Sequence, residues 1–161
     1  MPDFPDDVSE PTTAVDRAVA LLSDAEQDAR NVSQECAIHR WDASQAFGID
    51  YAVDGEIACE GLTDFFLLAW PMLLDYLKRP AGEGEVLLVT EVDGAGQWHV
   101  VLGERATLSD ESPSHAVEVR GTASDLVLWL WGRMEPPHVS GDRSVLERMR
   151  NPAGRFLSPG F

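Results

Sequence analysis

Positive charge is scarce in this 161-residue chain: 12 Lys and Arg stand against 28 Asp and Glu, a formal net charge of −16. A field of that sign repels phosphate backbones and anionic membranes, so the expectation is no nucleic-acid partner and no membrane partner. Cysteine is nearly absent. Cys36 and Cys59 are the only two, which fits a reducing compartment and leaves no disulfide framework. The opening residues, Met-Pro-Asp-Phe-Pro-Asp-Asp, are acidic and lack the apolar region of a secretory signal. The longest uncharged apolar run, Phe65 to Leu74, is too short to span a bilayer. A phosphate-cradling glycine loop, Gly-x-Ser-x-Gly and Cys-x-x-Cys are all missing, as are internal repeats and low-complexity tracts. The sequence therefore predicts a cytoplasmic, soluble protein, and its surplus of acid reads first as a device for solubility.

What is present is enough apolar residue for a core, 44% of the chain. Residues 1–12 are rich in acid and proline and read as a disordered lead. Over 13–47 the spacing predicts one long helix. Thr12 or Thr13 serves as its cap, and Val15, Val19, Leu22, Ala25, Ala29, Val32, Cys36 and Ala43 form an apolar stripe. Such a helix cannot bury its stripe alone; it needs the next domain or a second copy of the chain, so a homodimer is expected. A second helical region follows over 57–78, apolar all round at its centre, with Pro71 expected to kink or split it near Trp70. Glu85–Glu91 and Gln97–Leu102 read as strands joined by a hairpin at Asp93-Gly-Ala-Gly. Arg105–Ser109 and His115–Arg120 are further strands, the latter with Val117 and Val119 on one face. Short helices follow over 122–132, capped by Thr122 with Asp125 three residues on, and over 143–150, capped by Asp142. Residues 151–161 read as an irregular tail. The fold class is α+β: a long N-terminal helix, then an antiparallel sheet packed with helices over 48–150.

Two stretches carry a resemblance. One is Val117-Glu-Val-Arg-Gly-Thr-Ala-Ser-Asp-Leu-Val-Leu-Trp-Leu-Trp-Gly-Arg133 followed by Gly141-Asp142; the other is Glu35-Cys-Ala-Ile-His39-Arg-Trp-Asp42. The first resembles the C-terminal domain of the mycothiol-dependent maleylpyruvate isomerase family, a sterol-carrier-like sheet-and-helix domain. The second resembles the last helix of that family's metal-binding bundle. The resemblance implies that Glu35 and His39 match two of three metal ligands, the third being a histidine of an earlier helix. It also implies that Arg133 matches an arginine that faces the active site and holds a substrate carboxylate.

Read as chemistry, Glu35 and His39 are four residues apart on a helix and can offer one oxygen and one nitrogen to a zinc or other divalent ion. A helix-surface pair, with His39 half-buried beside Cys36, is the simpler account of them. Arg133 carries the planar fork that suits a carboxylate; it also suits a cation at a helix C-terminus beside an acid. Cys36 is either a nucleophile or a small residue packed in the stripe. Trp70, Trp98, Trp129 and Trp131, with Phe65 and Phe66, form core or line an apolar pocket. Within the 122–132 helix, Trp129 shares a stripe with Leu126 and Leu130 and is expected to be the more deeply packed of its two tryptophans. Two functions follow. One is a truncated relative of the isomerases with lost or altered catalysis, binding a small apolar molecule or a partner. The other is a metal- and mycothiol-dependent isomerase or transferase, possibly dimeric, acting on a small acidic substrate.

Overall fold

The computed structural model describes residues 24–111 and 113–156. The acidic lead, the start of the predicted long helix with Val15, Val19 and Leu22, and residues 157–161 of the tail lie outside them. The first described helix, α1 (Asp24–Ala46), docks on α2 (Gly55–Asp64). It does so through a face the apolar stripe does not name. Gln34 Nε2 donates to Asp64 Oδ2 at 2.7 Å, and Arg30 Nη2 pairs with Glu60 Oε1 at 3.1 Å. Ala37 and Ile38 are buried beside them and Trp41 is partly so. The predicted stripe faces outward: Val32 is 62% exposed, and Cys36 and Ala43 are exposed too. Polar side chains won the docking face because each found a charged or amide partner on α2, which offsets the cost of burying it. Gly61 permits the close approach, since a Cβ there would lie 3.1 Å from Val127 Cγ2 and 3.6 Å from the Gln34 side chain.

Asp54 caps α2, accepting from the N–H groups of Glu56 and Ile57. The helix does not break at Pro71. It passes through a π-helical segment, Phe65–Ala69, into α3 (Trp70–Leu77). Pro71 has no N–H to give to the preceding turn, and the widened turn, in which Trp70 N–H donates to Phe65 O, absorbs the mismatch. The continuous helix from Gly55 to Leu77 has 23 residues and is long and apolar enough, by length and composition only, to cross a membrane. Its inner side chains are core: Leu62, Phe65, Phe66, Trp70 and Leu74 are buried. Its outer face is open, with Met72 70% and Tyr76 73% exposed, so it is not apolar and buried all round as its composition suggests.

Five strands follow: β1 (Glu85–Glu91), β2 (Gln97–Leu102), β3 (Ala106–Ser109), β4 (Val117–Gly121) and β5 (His138–Gly141). They lie in the order β3-β2-β1-β4-β5. Pairing is antiparallel except at β1/β4, which is parallel, so the sheet is mixed where the sequence suggested antiparallel throughout. Register puts Leu87 opposite Val100 and Val117, and Val89 opposite Trp98 and Val119; these side chains share the core face. Strand β5 is too short and too polar to read from sequence, having His138, Ser140 and Gly141 around a single Val139. Gly141, at φ +90°, lets β5 turn against β4, since a Cβ there would meet Ala116 O at 2.3 Å.

Helix α4 (Ala123–Leu130) follows β4. Thr122 caps it by accepting from Asp125 N–H, and Asp93 of the β1–β2 hairpin accepts from Ala123 N–H at 2.9 Å. Leu126, Val127, Leu128 and Leu130 are buried, while Trp129 and Trp131 are both half-buried, so the expected contrast between the two tryptophans does not appear in their burial. Helix α5 (Arg143–Phe156) runs past residue 150, where the sequence reading ends it, and Asp142 accepts from Ser144 N–H at its start.

Candidate functional site

The Leu-Trp-Gly-Arg end of α4 is a left-handed cap. Gly132 stands at φ 72°; its N–H reaches Trp129 O and the Arg133 N–H reaches Leu128 O, both at 2.9 Å. This pair of bonds closes the helix and throws Arg133 back across the core edge toward α1. There Arg133 meets Asp42. Nε donates to Oδ1 at 3.1 Å and Nη2 to Oδ2 at 2.9 Å, a two-pronged pair across 91 positions of sequence, while Nη1 donates to the Trp131 carbonyl at 2.8 Å. The arginine side chain is only 10% exposed. The Arg133 guanidinium holds the Asp42 carboxyl below its ordinary range, against the opposing effect of burial.

Asp42 also touches His39, whose Nδ1 lies 3.4 Å from Asp42 Oδ2 while its Nε2 lies 3.4 Å from Glu35 Oε2. Glu35, His39, Asp42 and Arg133 therefore form one line of alternating charge-bearing groups along the side of α1. His39 is 67% exposed and Cys36 is exposed as well, so neither is packed into the domain as the surface-pair reading supposed. Glu35 and Asp42 approach opposite edges of the imidazole and do not converge on a point. Among the described residues no three His, Cys, Asp or Glu side chains form a group able to hold a metal. The described residues by themselves do not fit a catalytic zinc site, which takes three protein ligands and an open position.

The sequence named Glu35, His39 and Arg133; Glu35 and His39 touch each other, and Arg133 reaches them only through Asp42. It missed the role of Asp42, which joins them. The signal was there: Asp42 sits three residues after His39 and seven after Glu35, on the same face of a helix.

Beside this line runs a groove of about 510 Å³ between α1, the π-helical segment and the end of α4. Phe65, Leu68, Ala69, Met72 and Trp131 wall it, with Gln34 and Glu35 of α1 and Asp64 at the end of α2. Phe65 stacks on Trp70 and meets Phe66 and Trp131 edge-on, so Phe65 and Trp131 serve both core and groove. Trp70, Phe66 and Trp98 are plain core; the Trp98 indole N–H donates to Thr63 Oγ1 at 3.0 Å. The Trp131 indole nitrogen is buried with no hydrogen-bond partner among the described residues.

A five-stranded mixed sheet packed with helices, with a capped helix presenting a largely buried arginine at its end, defines an α+β domain. The family model described as the MDMPI C-terminal domain, that of the maleylpyruvate isomerases, matches residues 56–148, more than half of the chain. The chain belongs to this maleylpyruvate isomerase-like family. One solved structure, a UbiJ-SCP2 ubiquinone synthesis protein, is 22% identical, with 58% of this chain and 88% of that chain covered and a TM-score of 0.39. Comparison with curated proteins gave no match.

Proposed function

We propose that this chain is a member of the family with lost or altered catalysis, and that it binds a small apolar molecule or a partner against its helices. The observation that carries the reading is the state of Arg133. Its fork already holds Asp42 of the same chain, and its third edge is spent on the Trp131 carbonyl. A substrate carboxylate would have to displace an intramolecular partner that is held in place without loss of translational freedom. On the metal side, two side chains on one exposed helix make a weak zinc site. The two cysteines and the outward stripe at Val32 and Cys36 support a cytoplasmic homodimer.

The test uses the full chain with maleylpyruvate, mycothiol and zinc. Consumption of maleylpyruvate should not exceed the uncatalysed rate, and elemental analysis of the purified protein should find far less than one zinc per chain. Stoichiometric zinc that disappears in His39→Ala, together with turnover, would overturn the reading. The second reading, a metal- and thiol-dependent isomerase or transferase of a small acidic substrate, is favoured by one observation: Glu35, His39 and Arg133 lie on one continuous line. It requires a further ligand from outside the described residues, such as a second copy.

A further inference from the structure

Lys78 is the only lysine of the chain. It stands at φ 51°, the one non-glycine residue of positive φ among the described residues, at the end of α3 where glycine is the usual choice. The turn is closed by Lys78 N–H on Asp75 O at 3.2 Å and Arg79 N–H on Leu74 O at 3.1 Å. Both Lys78 and Arg79 line a cavity of about 630 Å³ between this helix end and the β2–β3 turn, where Glu104 and Arg105 stand. The charges in its lining do not cancel. Arg105 is paired with Asp75, so those two balance. Lys78 and Arg79 have no ion pair among the described residues, and Glu104 is the one acid of the lining left to set against them. Elsewhere in this acidic chain Arg30, Arg120, Arg133 and Arg148 are each met by a carboxylate. A helix end is served by a single cation through its dipole; two unanswered cations on one cavity suit a ligand with two negative charges. A guanidinium offers a fork and an ammonium a point charge, and a phosphoryl group has oxygens for both. We propose that this cavity binds a phosphoryl dianion, with Arg79 forking two of its oxygens and Lys78 on the third.

The proposal goes beyond the binding reading above and stands apart from it, since this cavity and the groove beside α1 share no lining residue. The sole lysine supplies the probe. Reductive ¹³C-methylation labels Lys78 and the N-terminal amine alone, and the dimethylated ammonium keeps its charge. Inorganic phosphate, phenyl phosphate and benzoate are titrated into the full chain at constant ionic strength, at a pH where both phosphates are dianions. Resonances of the labelled chain give the place of binding, and calorimetry on the unmodified chain gives the affinity. Phosphate should move the Lys78 resonance saturably and leave the N-terminal one in place. Benzoate should bind at least about tenfold more weakly than phosphate. Both phosphates bound would make the ligand a phosphate monoester, and phenyl phosphate refused would make it free phosphate; either outcome supports the dianion site. Arg79 and Glu104 are exposed, so their variants keep the fold, which an unchanged melting temperature checks. Arg79→Gln should weaken phosphate about tenfold, and Glu104→Gln should tighten it about two- to threefold. A Lys78 resonance that stays still, or that sodium chloride moves as far, would overturn the proposal. So would benzoate bound as tightly as phosphate, or an unaltered phosphate affinity in Arg79→Gln.

Discussion

Burial sets the two thiols of this chain apart. The Cys59 thiol is pushed up to about 11, first by burial and then by the nearby Glu91 carboxylate. At pH 8 roughly one molecule in a thousand carries its thiolate, so Cys59 is a poor nucleophile. Cys36 lies on the exposed side of α1. A chromogenic disulfide reagent at pH 8, in denaturant-free buffer dilute enough to keep the chain monomeric, should therefore report one fast thiol per chain, abolished by Cys36→Ser; two equally fast thiols would show that Cys59 is open. The Arg133–Asp42 pair is a second residue-scale contrast. A double-mutant cycle of Arg133→Lys and Asp42→Asn should give a coupling of about 1–2 kcal/mol at pH 7, because an ammonium cannot reproduce the fork and Asp42 is partly exposed. The sign of its pH dependence follows from the depressed Asp42 pKa. The stabilisation is full above the unfolded value of about 3.9 and is lost as pH falls through the lower folded value. Denaturant midpoints at pH 7 and near pH 3 should show the coupling at the first and its decline at the second; additive variants at pH 7 would deny the pair any role. The arginine was legible in the sequence because Gly132 before it marks a helix end. Its acid was not, because 91 positions separate the two and no local pattern pairs them.

At the scale of elements, legibility followed the local signals. Strands β1 and β2 and the caps at Thr122 and Asp142 stand where alternation and turn residues put them, because each is fixed by neighbours in sequence. Strand β5 was invisible because its stability comes from pairing with β4 and not from its own side chains. The docking face of α1 was misread for a related reason. A count of apolar residues assigns Gln34 and Arg30 to solvent, yet the buried Asp64 of α2 draws both inward. That reversal has a measurable consequence. Gln34→Ala strips Asp64 of its 2.7 Å donor and leaves only Arg30, 3.7 Å away, to answer a carboxylate that is 4% exposed. The loss should be about 1–3 kcal/mol. Val32→Ala, on the outward stripe, should change stability by less than about 0.5 kcal/mol. Chemical denaturation of the two variants compares them directly, and the opposite ranking would return the docking face to the apolar stripe.

For the molecule as a whole, family membership was legible because the turn and cap residues of β4 and α4 are specific to a shape. Activity was not, because a fold hosts many functions and the site depends on what meets it. The outward stripe of α1 bears on that question. Val32, Cys36 and Ala43 are exposed along it, and Phe47 and Ile49 just beyond its end are 80% and 57% exposed. A surface of this kind on a chain of net charge −16 sets two forces against each other when copies meet. Apolar contact draws them together, and like charge pushes them apart over a screening length of about 10 Å at 0.1 M salt. Added salt shortens that length and leaves the apolar attraction intact, so a homodimer built on the stripe should tighten as salt rises. An interface built on ion pairs would loosen. Light scattering over a range of sodium chloride concentrations should show the dimer fraction increasing. Val32→Asp should leave a folded monomer, because that side chain is mostly exposed in one copy. A monomer at every salt concentration, or a dimer that salt dissociates, would rule out the stripe as the contact and with it any site completed by a second α1.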